Sequence, residues 1–117
     1  MLETLLPRRE VQIEPDAFRE WLEARRTTIV GISCDDSCCP LSEFLTEQNH
    51  IRYYVGDDAC GIGLDRNFYS LPSWASAFVH RIDALVEYQE LPVTGEQALE
   101  VYEWAMAHAS LPFSDEF

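Results

Sequence analysis

Four cysteines offer this chain its widest choice of chemistry: Cys34, Cys38, Cys39 and Cys60. Zinc is held by about four ligands in a tetrahedron, and thiolates from two loops suit it. Both cysteine-bearing segments follow predicted strands, and His50 lies between them in sequence. The spacing speaks against a metal. The pattern is C-x3-C-C, a gap of twenty residues, then C, with no C-x2-C pair, and the neighbours Cys38 and Cys39 point apart. A redox or nucleophilic thiol is the second reading. Cys39 precedes Pro40 at a predicted helix start, where the helix dipole lowers a thiol pKa. Asp35 and Asp36 oppose that by disfavouring a nearby thiolate. Nothing in the sequence places His50, His80 or His108 beside a thiol as its base. Small buried apolar filler is therefore the favoured role, because free cysteine is among the most buried residue types. No catalytic residue, metal ligand or cofactor is assigned, and the reading leans away from an enzyme. A small metal- or thiol-based protein using Cys34, Cys38, Cys39 and Cys60 stands as an alternative.

The segment Gly56 to Asp65 invites a calcium reading and fails it. Asp57 and Asp58 are adjacent rather than alternating, and the twelfth position from Asp57 is Phe68 where an EF-hand loop needs Glu. Gly61-x-Gly63 lacks the third glycine and following helix of a dinucleotide loop. Turn glycines account for both.

Charge is more informative. Asp and Glu number 21 against 8 basic residues, a net charge of −13, and every basic residue is Arg. Residues 1–26 hold six acids and five Arg, a net of −1, whereas residues 82–117 hold eight acids and no Arg, a net of −8. A field of this sign has no footprint for phosphates, which excludes direct nucleic-acid binding and an anionic membrane surface. It favours cationic partners. Glu96, Glu100 and Glu103 fall at i, i+4, i+7 on one predicted helix face, and Glu87 and Glu90 extend the negative surface upstream. Like charges at i, i+4 cost about 0.2–0.5 kcal/mol per pair, so helix stability alone does not select them. The plain alternative is a solvated face that serves solubility. The functional expectation is a small acidic non-enzymatic interaction protein that binds a basic protein partner through Glu87, Glu90, Glu96, Glu100 and Glu103. A sharper variant is an inhibitor that mimics nucleic acid, of the phage anti-defence type.

These residues need elements to position them. Val11 and Ile13 alternate as in a short edge strand. Asp16 is expected to cap a helix over 17–26 that buries Phe18, Trp21 and Leu22, with Arg25 and Arg26 in its last turn. Thr28 to Ser33 reads as a strand, Cys34 to Pro40 as a turn, and Leu41 to Gln48 as a short helix with Pro40 at its first position. Ile51, Tyr53 and Val55 alternate with Arg52 and Tyr54 as in a half-buried strand. Gly56 to Asn67 reads as a loop with an extended piece at Ile62 to Leu64. Pro72 opens the strongest helix, whose ridge is Trp74, Phe78, Ile82 and Leu85, widened by Ala75, Val79 and Val86. Thr94-Gly95-Glu96-Gln97 is a capping box for a final helix that buries Ala98, Val101, Tyr102, Ala105 and Ala109.

Strands this short need helices over one face. The expected fold is α+β: a small two- or three-stranded sheet covered by three main helices in a single compact domain over 1–117. Residues 1–15 read as an extended N-terminal segment and 110–117 as a flexible tail. No targeting segment is visible and no run approaches the roughly 18 apolar residues of a spanning helix, so the expected location is the cytoplasm.

Overall fold

A pyrrolidine ring fixes φ near its helical value, and three prolines stand at helix starts in this chain. The computed structural model describes residues 9–64 and 67–109. Helix α1 spans Pro15–Glu23, with the proline in its first turn. It starts two residues before its expected position, so Asp16 lies inside the first turn instead of capping it; Glu14 is the N-cap and makes no side-chain capping bond. Arg25 and Arg26 fall beyond its last residue. Helix α2, Pro40–Asn49, again opens on proline, and its N-cap is Cys39. Helix α3, Ser73–Leu85, follows Pro72, and α4 spans Gly95–Ala109.

Among the described residues, five short strands complete the α+β fold in two antiparallel sheets. Strands β2 (Tyr53–Val55), β3 (Ala59–Ile62) and β4 (Phe68–Ser70) form a meander in the order β2-β3-β4. Strand β1 (Ile29–Ile32) pairs with β5 (Pro92–Thr94), with Ile29 opposite Thr94 and Ile32 opposite Pro92. β3 lies mostly where the residues predict a loop, and no strand is expected at β4 or β5. Val11 runs beside β4, its N–H donating to the Ser70 carbonyl at 2.9 Å. Within the expected strand over 51–55, Tyr53 and Val55 are buried as foreseen, but Ile51 is exposed and lies before the first paired residue. Residues 110–117 and most of the expected N-terminal segment lie outside the described residues. No helix among the described residues is long and apolar enough to cross a membrane.

The core is organised around one ring. Phe18 of α1 is fully buried. Its centroid lies 5.2 Å from Phe44 of α2, 5.9 and 5.1 Å from Trp74 and Phe78 of α3, and 6.0 Å from Tyr102 of α4. All four helices thus meet at a single side chain, and its tilted and edge-on contacts suit the ring quadrupole. Trp21 stacks at 6.2 Å and donates its indole N–H to Glu47 of α2, which also holds Arg25 at 3.4 Å. Gly95 sets how closely α4 approaches α1. Any Cβ there would sit 2.1 Å from the Arg25 carbonyl oxygen and 2.8 Å from that of Leu22.

Candidate partner-binding surface

The start of α4 is fixed by the expected capping box. Thr94 Oγ1 accepts the Gln97 N–H at 3.2 Å, and Gln97 Oε1 accepts the Thr94 N–H at 2.9 Å. With the helix phase set, Ala98, Val101, Tyr102 and Ala105 are buried, while Glu96, Glu100 and Glu103 are exposed along the outer face. Glu87 and Glu90 are exposed on the connector between α3 and β5. The five carboxylates do not share one fate. Glu103 is met by Arg19 of α1 at 3.3 Å, and the same guanidinium contacts Glu23 at 3.5 Å. Among the described residues, no ion pair holds Glu87, Glu90, Glu96 or Glu100. Residues 82–117 contain no Arg, yet at Glu103 tertiary folding brings Arg19 of α1 as the partner.

The connector is shaped by α3's end. Glu87 and Tyr88 both adopt left-handed backbone, with φ of 54° and 63°, and the Tyr88 N–H returns to the Asp83 carbonyl at 2.8 Å. Ser33, fully buried just past β1, then pins the chain. Its hydroxyl donates to the Gln89 carbonyl at 2.6 Å and accepts the Leu91 N–H at 3.0 Å, while its own N–H donates to the Leu91 carbonyl at 2.9 Å. A buried hydroxyl with every group satisfied locks the segment to the sheet.

Between α3, β5 and α4 this leaves a groove of about 560 Å³, lined among others by Arg81, Leu85, Val86, Leu91, Glu100 and Trp104. Leu85, expected in the buried ridge of α3, is 57% exposed, and Leu91 is 41% exposed. The physical reason is position. α3 packs against α4 and buries Phe78 and Ile82, but Leu85 sits in the last helical turn and is left exposed among the described residues. The Arg81 guanidinium lies 4.7 Å over the Trp104 ring, and His108 stacks on the same indole at 4.1 Å. Trp104 is thus half-buried between aromatic and cationic neighbours rather than held as a simple core residue.

The cysteines are dispersed. Cys34 and Cys39 line a second, smaller cleft of about 320 Å³ with Asp35, Asp36, Asp57 and Asp83. Cys34 has a left-handed φ of 60°, and its N–H donates to Asp83 Oδ1 at 3.1 Å. Loss of hydration, followed by the Asp83 carboxylate, pushes the Cys34 thiol up to about 11. Burial raises Cys39 to about 12, outweighing the amides of Ser42 and Leu41 that favour its thiolate. Cys60, in β3, is 1% exposed and is raised by burial to about 11. Cys38 faces a different depression, between β1 and α2. All four thiols are free. Among the described residues no group of three or more His, Cys, Asp or Glu is arranged to hold a metal ion. A protonated thiol is a poor nucleophile, and the raised values of Cys34, Cys39 and Cys60 keep those three sulfurs protonated near neutral pH. The sequence named the cysteines; Asp83, forty-nine positions from Cys34, carried no signal linking it to them.

No protein-family model, no curated protein and no solved structure matches this chain.

Proposed function

We propose that this protein is a non-enzymatic interaction protein whose acidic C-terminal half binds a basic protein partner. The observation that supports it is the set of exposed carboxylates at Glu87, Glu90, Glu96 and Glu100, which no ion pair satisfies among the described residues. Unpaired like charges on one half of a small protein steer cationic partners and reject anionic ones. A nucleic-acid mimic draws on the same charges but needs an unbroken array, and Glu103 is engaged by Arg19. The protein-partner reading is preferred on that ground.

The test is affinity capture from a lysate of the source cells, with a salt titration on whatever is retained. The partner is expected to be released as ionic strength rises. It is also expected to be lost when Glu96, Glu100 and Glu103 are all replaced by Lys. Capture that is indifferent to both salt and charge reversal would sink the reading. Competition by DNA for the captured partner would favour the mimic.

A further inference from the structure

The groove between α3, β5 and α4 combines three properties. Its floor is apolar and accessible, with Leu85 and Leu91 the most open of its aliphatic residues. Its walls are set: the Ser33 hydroxyl fixes the connector at Gln89 and Leu91, and the capping box fixes the start of α4. Its surroundings are negative, because Glu100 lines one wall and Glu87 and Glu90 stand on the connector that leads into the other. Arg81 is the cation within it, and that guanidinium is engaged over Trp104.

We infer that this groove receives one amphipathic helix of the partner protein. Apolar side chains of that helix fill the space between Leu85, Leu91 and Trp104, and its flanking Lys or Arg residues lie over Glu87, Glu90 and Glu100. The inference rests on the acidic-surface reading above and names what that surface holds. The groove's size suits it, since about 560 Å³ admits a few side chains and not a domain. Strand addition is the other way a peptide uses such an edge, and β5 is poorly equipped for it. Pro92 has no N–H, and the Thr94 N–H is taken by Gln97. A helix satisfies its own backbone and needs only side-chain contacts. A second copy of this chain would bring its own negative half against this one, so the charge that attracts a basic helix repels a twin.

The probe is a synthetic peptide of about fifteen residues made of leucine, alanine and lysine, long enough to hold a helix, with leucines at i, i+3, i+4 and i+7. A peptide of the same composition with its leucines dispersed serves as the control. Binding is followed by fluorescence anisotropy to the wild type, to the double variant Leu85→Gln with Leu91→Gln, and to the triple Lys variant at Glu96, Glu100 and Glu103. Both leucines are solvent-exposed, so the double variant is expected to fold, and circular dichroism checks it. The amphipathic peptide is expected to bind the wild type at least about tenfold tighter than the double variant, with the control peptide unable to tell them apart. Equal binding of both peptides to wild type and double variant, with loss only in the triple Lys variant, overturns the groove and leaves the acidic surface standing. No loss in either variant overturns both. A dimer in light scattering that the leucine changes dissociate also overturns it, because the occupant is then a second copy.

Discussion

Helix α4 is used in opposite ways on its two flanks. Towards α1 three of its residues find partners: Gly95 lets the backbones touch at Arg25, Tyr102 meets the Phe18 ring, and Glu103 meets Arg19. Towards the end of α3 the same helix presents Glu100, without an ion pair among the described residues, and Trp104, half-buried, across a groove from exposed Leu85. One flank is closed by packing and an ion pair; the other leaves Glu100 and Leu85 exposed. Stability and function are therefore expected to separate along this helix, and substitutions on either side test whether they do.

The largest effect is expected at the ring where the four helices meet. Phe18→Ala removes a side chain that is fully buried, and should cost about 3–5 kcal/mol in urea denaturation. A loss below about 1 kcal/mol would mean that the α1 flank is not the stabilising side.

Much of this architecture could be read from residue order. The period of α3 and α4, proline at the start of α2 and the reciprocal bonds of Thr94 and Gln97 all follow from neighbours within a few positions. The strands β4 and β5 could not. Each has three residues, Phe68 is exposed, and Pro92 argues against a strand until Ile32 is seen opposite it. Such strands exist because of a distant partner rather than a local preference. The surface divides in the same way. The acidic half was legible as a count of charges, while the Arg19–Glu103 pair, the groove at Leu85 and the binding of Cys34 to Asp83 depend on helices and loops far apart in sequence.

Next in size is Gly95→Ala. Its methyl group would meet backbone oxygens and not a side chain that could move aside, so α4 must shift off α1. A loss of about 1–3 kcal/mol is expected, read as a lower thermal midpoint. If the midpoint holds, the close approach of α4 to α1 is not what positions the acidic face.

The thiols give a pH test of the same distinction. Cys39 and Cys60 are held above their ordinary value of 9.0, at about 12 and about 11, so the unfolded chain releases their protons first. Their contribution is complete below pH 9 and is lost as pH rises through 11 and 12. By about pH 10 the loss is on the order of 1 kcal/mol for each thiol. Tyr53 and Tyr102, also raised by burial, add in the same direction. Urea midpoints should fall from about pH 8.5 upward, and changing Cys39 and Cys60 together to Ala should flatten that fall. Rapid alkylation of Cys39 in the folded protein near pH 8 would contradict its burial.

The smallest effect carries the opposite sign. Glu96 and Glu100 repel each other across one helical turn, so Glu100→Gln should stabilise the protein by about 0.2–0.5 kcal/mol at low salt, and less at high salt. A gain in stability with a loss of partner binding would mark the open flank as kept for binding. A loss in both would assign Glu100 to the fold.

The pairing of β1 with β5 governs timing as well as shape. Ile29 meets Thr94 across an interval of sixty-five residues, and the buried Ser33 waits for the Leu91 backbone over nearly as long a stretch. Closing so wide a loop is entropically slow compared with forming a helix or a hairpin. On the ribosome, then, the β2-β3-β4 meander can assemble while β1 still has an open edge and Ser33 an unmet hydroxyl. The two-stranded sheet closes only after β5 has emerged, so the acidic helix that follows it docks later than the meander.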